Sequence, residues 1–247
     1  MNETRQTMGM PVTLNVPNVL DQSVLDRVFD WFEYVDTTYS PYKESSLVSQ
    51  INRGELQEAD YSDELREILV LADQTKVETK GYFDVWHEGA FDPSGIVKGW
   101  AIQKAAGLLA KSTDDFYVEA GGDIQVGGKS SSREPWKIGI RNPFERTQNI
   151  SILRLENKAV ATSGTAIRGM HIYNPLDAND RIDGLVSLSV IGDSIIDADR
   201  YATAAFAMGK KGITFIESLK GFEGYLVDQN KIATQTTGWS QYEVKPS

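Results

Sequence analysis

"FYVEAGGDIQVGG", residues 116–128, decides the fold class of this chain. Two short strand-like runs stand either side of Gly121 and Gly122, too close together for a helical crossover, so they read as antiparallel neighbours. The pattern continues through "WKIGIR" (136–141), "ISILRL" (150–155), "AVATS" (159–163), "MHIYN" (170–174) and "LVSLSVI" (185–191), with "FEGYLV" (222–227) as a late strand. Upstream, "PVTLNVP" (11–17) alternates Val12, Leu14 and Val16 as a half-buried strand does. Asp21 reads as the N-cap of a helix with Leu25, Val28, Phe29, Phe32 and Val35 at helical spacing. A second helix starts near Ser62, with Asp63 and Glu64 in its first turn and Leu65, Ile68, Leu69 and Ala72 inward. Further helices cover about 96–109, the alanine-rich "IIDADRYATAAFAMGKKG" (195–212) and about 213–219. The order predicts an α+β fold, a single domain over residues 1–247 with helices packed on a mostly antiparallel sheet. There is no internal repeat or linker, and "KSSSREP" (129–135) is expected to be a mobile loop.

Composition narrows the function classes. At 247 residues and 40% hydrophobic content the chain is long enough to bury a sizeable core. It has no cysteine, which excludes disulfides, thiolate metal sites and a cysteine nucleophile within these residues, and a cysteine-linked lipid anchor is not expected. No apolar run approaches the roughly 20 residues of a transmembrane helix, and the N-terminus lacks the basic-then-apolar order of a signal peptide. The expectation is a cytoplasmic protein as given, or a periplasmic or exported one if a leader was removed. A net charge of −10 argues against nucleic acid as a partner, and two histidines, His87 and His171, argue against a His-rich zinc site.

Four constellations remain as carriers of chemistry. Asp199 and Thr203 are four apart, so on a helix both reach one point with hard oxygen donors suited to Mg²⁺. The alternative is a carboxylate favoured by the helix dipole beside an ordinary Thr. "DPSG" (92–95) precedes a helix whose first amides suit an anion, with Lys98 adding charge, or else Asp92 or Ser94 is simply the N-cap. The glycine pairs around "DIQV" permit close approach to a ligand or serve turns, and they are not a dinucleotide fingerprint. Thr162, Ser163 and Gly164 end one strand, and His171 in the next is a candidate general base, phosphate-orienting group or structural histidine. In that strand, parity puts His171 and Tyr173 opposite Met170 and Ile172.

In collinear order, "MGMPVTL", "FDWFEYVDTTYSPYKESSLVSQINRGE", "GYFD", "DPSGIVKGWAIQKA", "YVEAGGDIQVGG", "PWKIGIRNP", "AVATSGT", "HIYNP" and "DADRYATAAFAMG" resemble the FAD:protein FMN transferase (ApbE-like) family over nearly the whole chain. The resemblance implies a Mg²⁺-dependent enzyme that takes FAD as substrate, cleaves its pyrophosphate and releases AMP. FMN then passes through a phosphoester to a Thr or Ser of an acceptor flavoprotein. The alternatives are an FAD pyrophosphatase or a non-catalytic FAD-binding protein. It implies Asp199, Thr203 and the main chain of Gly95 as metal ligands. It places Met8, Tyr42, Phe83, Asp84, Asp92, Lys98, Gly121, Gly122 and His171 along the flavin dinucleotide, and assigns His171 and Asp123 to catalysis. After this comparison Asp197 reads as an N-cap rather than a ligand. The sequence departs from the family pattern at Met10, at Asn174 in "HIYNP" where an Asp is usual, and in a short segment between Asp84 and Asp92.

Overall fold

Alternation of apolar and polar residues builds the sheet, and the spacing of glycines sets its turns. In the computed structural model, which describes all residues except 19–20, 146, 166–171, 178–181, 183 and 245–247, the chain order is as follows. Strands β1 (Asn2–Thr7) and β2 (Met10–Asn15) are followed by α1 (Gln22–Tyr39), α2 (Leu47–Asn52) and α3 (Asp63–Glu78). The two-residue strands β3 (Trp86–His87) and β4 (Ala90–Phe91) lead into α4 (Ser94–Ala110), β5 (Phe116–Ala120), β6 (Asp123–Gly127), β7 (Trp136–Arg141), β8 (Asn149–Leu155) and β9 (Ala159–Gly164). Then come β10 (Leu185–Gly192), α5 (Ile195–Ala207), α6 (Gly212–Ser218), β11 (Glu223–Asp228) and β12 (Ala233–Gln235).

Eight strands form one sheet in the order β1-β2-β5-β6-β9-β10-β11-β12, with every recorded pairing antiparallel. The α+β fold with a mostly antiparallel sheet is thus the one expected. Gly121 and Gly122, at φ +61° and +98°, close the β5–β6 hairpin as a two-residue turn with both residues left-handed, so here the glycines serve a turn. Met8 and Gly9 do the same between β1 and β2, at φ +53° and +68°.

The central strand β6 is buried along its whole length because both sheet faces are covered. Its odd-numbered residues Asp123 and Gln125 face α4 and α5, and Ile124 and Val126 face the β7–β8 hairpin. On the helical side the main core joins Phe29 and Phe32 of α1, Trp100 and Ile102 of α4 and Phe206 of α5. On the other side Ile124 and Val126 pack with Trp136, Ile138, Ile140, Leu153, Leu155 and Trp239. No described helix is long and apolar enough to cross a membrane.

Asp21 caps α1 through Ser23, and Ser62 caps α3 through Leu65, as read from the sequence. Three local expectations change. Helix α5 begins at Ile195 with Ser194 at the N-cap position; Gln125 Oε1 accepts from the Ile195 amide at 3.0 Å, while Asp197 pairs with Arg200 Nε at 2.7 Å. Asp197 is therefore not the cap, because a side chain on the distant strand β6 fills that role. Helix α4 has Pro93 at its N-cap position with no side-chain bond, and Asp92 Oδ1 accepts from Ser94 N just ahead of it. Of the expected "MHIYN" strand, Ile172–Asn174 is irregular and the rest lies outside the described residues, so the parity argument for Tyr173 does not apply. Asn174, 7% exposed, accepts from Leu176 N through Oδ1 and from Asp177 N through its carbonyl, an Asx-type turn. The 129–135 loop is held by Ser130–Glu134 and Ser130–Arg133 main-chain bonds and by an Arg133–Asp115 ion pair. The short segment before Asp92 folds as the β3–β4 hairpin.

Candidate active site

Helices α4 and α5 cross closely because α4 carries glycine where α5 approaches. A Cβ at Gly99 would lie 2.9 Å from Asp199 Cβ and 3.0 Å from the Ile195 carbonyl oxygen, so any larger residue pushes the helices apart. One turn earlier, a Cβ at Gly95 would lie 2.9 Å from the Phe83 ring and 3.4 Å from Thr203 Cγ2. These contacts bring the "DPSG" turn and the Asp199–Thr203 face together at one end of a cleft of about 640 Å³.

Asp199 is 2% exposed, and its Oδ2 accepts from the Gly99 amide at 2.8 Å. Lys98 Nζ stands 3.4 Å from Asp199 Oδ1 and 2.5 Å from Asp123 Oδ2, so one ammonium bridges two buried carboxylates. Asp123 Oδ1 also accepts from Thr162 N at 2.9 Å, tying β6 to the end of β9. Burial pushes the Asp199 carboxyl up to about 7; Lys98 opposes this, Asp123 adds to it, and the Gly99 amide opposes it. Thr203 Oγ1 lies 3.3 Å from Ser163 Oγ, so hydroxyls from α5 and β9 meet beside the carboxylates.

Many of the residues singled out from the sequence line this one cleft, among them Phe83, Asp84, Asp92, Gly95, Lys98, Gly121, Gly122, Thr162, Ser163, Gly164, Asp199 and Thr203. Asp123 lies just beneath, joined through Lys98. Asp84 is braced by Lys76 at 2.6 Å and by Trp86 N at 3.0 Å, and its carbonyl accepts from the Tyr173 hydroxyl at 2.7 Å. Met8 sits in the β1–β2 turn, and the cleft is lined by its neighbours Gly9 and Met10. Tyr42 is 94% exposed beyond the end of α1 and does not line the cleft. His171 lies outside the described residues.

Sequence reading missed two contributors, Gly99 and the run Lys137–Arg141 that also lines the cleft, and it named Ser163 without its partner Thr203. The "GxxxG" spacing of Gly95 and Gly99 inside an otherwise helical run was the available signal for close helix approach. Nothing local marks which edge of β7 turns toward the cleft.

The oxygen donors here, a carboxylate, a hydroxyl and main-chain carbonyls, are the hard set that Mg²⁺ prefers. The place between Asp123 and Asp199 already accommodates a positive charge in Lys98. The Asp199 carboxylate and the Thr203 hydroxyl are therefore of a donor type that fits a divalent cation. Among the described residues no cluster of three or more His, Cys, Asp or Glu side chains is grouped for a metal, so such an ion would rely on hydroxyl, carbonyl and substrate oxygens as well.

Solved structures share this architecture. An ApbE protein from Thermotoga maritima superposes with a TM-score of 0.87 at 19% identity, covering 99% of each chain. The flavin transferase ApbE from Vibrio cholerae superposes at 0.83 and 20% identity, covering 98% of each. Among curated relatives named FAD:protein FMN transferase, one from V. cholerae is 30% identical over 130 residues, 49% of this chain and 39% of the relative. One from Rhodobacter capsulatus is 33% identical over 144 residues, 55% of this chain and 27% of the relative. The matches thus span well under half the length of these two relatives, whereas one from Chlamydia muridarum, 26% identical over 243 residues, matches over 74% of each chain. The model of the ApbE family matches residues 8–92 and 86–226, which together take in the glycine hairpin, the "DPSG" turn and the Asp199–Thr203 face, and the chain belongs to that family.

Proposed function

We propose that the chain is a Mg²⁺-dependent FAD:protein FMN transferase. It cleaves the FAD pyrophosphate, releases AMP and leaves FMN on a Thr or Ser hydroxyl of an acceptor flavoprotein. The observation that carries this reading is the meeting of the Lys98-bridged Asp123 and Asp199, the Thr203 hydroxyl and the first turn of α4 in one cleft, whose volume suits a dinucleotide.

Phosphoryl transfer asks a protein for positioning and charge stabilisation more than for covalent chemistry. A magnesium ion on Asp199, Thr203 and the Gly95 carbonyl would supply Lewis-acid neutralisation of the pyrophosphate oxygens. Lys98 adds a second positive charge, and Asp123 and Asp199 hold its ammonium in place. The Gly95 turn keeps its backbone open to the substrate, since Phe83 and Thr203 leave no room for a side chain there. The acceptor oxygen forms a bond to the FMN phosphorus as the bond to the AMP phosphate oxygen breaks. The hydroxyl proton passes to a base, the role proposed for His171, and AMP leaves with the bridging oxygen.

The test is incubation with FAD, Mg²⁺ and a candidate acceptor, following AMP by chromatography and covalent flavin by in-gel fluorescence. Both products should appear, and Asp199→Ala or Thr203→Ala should abolish them. Free FMN formed equally without acceptor would establish hydrolysis instead, and FAD binding without AMP would reduce the protein to a flavin carrier.

A further inference from the structure

Strand β7 turns an unpaired edge toward the cleft, and we propose that this edge docks an extended, acidic, Ser- or Thr-bearing segment of the acceptor protein as an added strand. The inference rests on the transferase reading, because only that reaction requires a protein segment to enter the cleft.

Register shows which main-chain groups are open. On β8, Arg154 N donates to the Tyr242 carbonyl and the Ile152 carbonyl accepts from Val244 N, both at 2.7 Å, so these two residues direct their main chain away from β7. They stand opposite Lys137 and Gly139. In an antiparallel ladder such non-bonded pairs point outward on both strands, so Lys137 and Gly139 aim their N–H and C=O groups away from β8. Among the described residues no other strand meets them.

That edge belongs to the cleft. All five residues from Lys137 to Arg141 line it, both parities in succession, as happens when a strand presents its edge rather than one face. The side chains of Ile138 and Ile140 are turned into the second core, which anchors the strand. The same cleft contains Gly121, Gly122, Thr162–Gly164 and the Asp199–Thr203 face, so a strand laid along β7 shares the cleft with these groups. Strand addition of this kind takes affinity from main-chain hydrogen bonds and specificity from alternate side chains.

Charge identifies the occupant. Lys137 and Arg141 are exposed, share one face of β7 at i and i+4, and form no ion pair among the described residues. Arg141 also acts electrostatically on Tyr117, and two cations without an ion pair beside an open strand edge favour carboxylates at matching spacing on the incoming segment. The exposed amide of Asn149 lies over the face of Gly139, where a Cβ would collide with it.

The experiment uses the full chain saturated with FAD in EDTA, which stops turnover, and fluorescein-labelled 12-residue peptides centred on Thr. One peptide carries Asp at two positions four apart, and the others carry Asn or Lys there. Anisotropy should show the Asp peptide binding most tightly, and the double variant Lys137→Glu, Arg141→Glu should reverse the order of the Asp and Lys peptides. Lys137→Ala should weaken the Asp peptide, and Lys137→Pro, which also removes the outward N–H, should weaken it by about a further fivefold. Because Lys137 and Arg141 also line the cleft, FAD titration of each variant separates peptide docking from nucleotide binding. Equal binding of all peptides, or no loss from Ala to Pro, overturns the docking site while leaving FAD cleavage intact. Weakened FAD binding in the Lys137 variants would assign the edge to the nucleotide, and loss of a dimer on size exclusion would assign it to a second copy; either overturns the inference. Failure of the parent to cleave FAD with Mg²⁺ present refutes the transferase reading separately.

Discussion

Replacing Gly99 with Ala sets two effects against each other. Helix propensity alone favours Ala over Gly inside a helix by roughly 0.5–1 kcal/mol. The structure argues the other way, since the new methyl would lie 2.9 Å from Asp199 Cβ and 3.0 Å from both Asp199 Oδ2 and the Ile195 carbonyl oxygen. A backbone carbonyl in the first turn of α5 cannot swing aside, so the helices must separate. Overpacking of this kind costs about 1–3 kcal/mol. The net is a loss of up to about 2.5 kcal/mol, which for a domain of this size lowers Tm by up to about 10 °C. Gly107 on the same helix is the control, because nothing lies within 4 Å of its would-be Cβ. Gly107→Ala should therefore gain the propensity term and raise Tm by about 1–4 °C. Differential scanning calorimetry measures both, and Mg²⁺ titration reads the displacement of Asp199. If Gly99→Ala raises Tm as Gly107→Ala does and binds Mg²⁺ like the parent, the close crossing of α4 and α5 does not position Asp199 and the reasoning fails.

Three more expectations follow from the same helix. Burial pushes the Asp199 carboxyl up to about 7, so protons compete with Mg²⁺ across neutral pH, and affinity should fall about tenfold from pH 8 to pH 6; calorimetric titration giving a flat profile would contradict this. With a folded value above the unfolded one, the same group makes the metal-free protein more stable as pH falls, and this contribution is lost as pH rises through about 7. Arg200, 4% exposed, bonds Asp197, Thr75, Glu78 and the Tyr201 hydroxyl, and Arg200→Met should destabilise by about 3 kcal/mol in urea unfolding, since Glu78 and Asp197 lose their shared cation. A change under about 0.5 kcal/mol would show that solvent already screens the network.

Much of the architecture was legible because its signals are local. Val12, Leu14 and Val16 alternate as a strand must; Leu25, Val28, Phe29 and Phe32 recur at helical spacing; Asp21 and Ser62 stand where caps are needed. Asp197 misled because a carboxylate near a helix start is a generic signal. Its helix is instead met at Ile195 N by Gln125, a residue 70 positions earlier in the chain, and no local pattern reports such a partner. "MHIYN" misled because apolar alternation over so few residues does not separate a strand from an irregular segment held by an Asx turn at Asn174.

By itself the sequence determined the types of element, the antiparallel character of the sheet and the pairing of Asp199 with Thr203 on one helical face. Periodicity, capping and turn chemistry act over a dozen residues or fewer. Only the tertiary structure decided that Lys98 bridges Asp199 to Asp123, that Gly95 and Gly99 let α4 close against α5, and that β7 offers its edge rather than a face to the cleft. Those relations depend on sheet order and on how side chains remote in the chain fill two cores. Such packing determines distances between elements that no single element encodes.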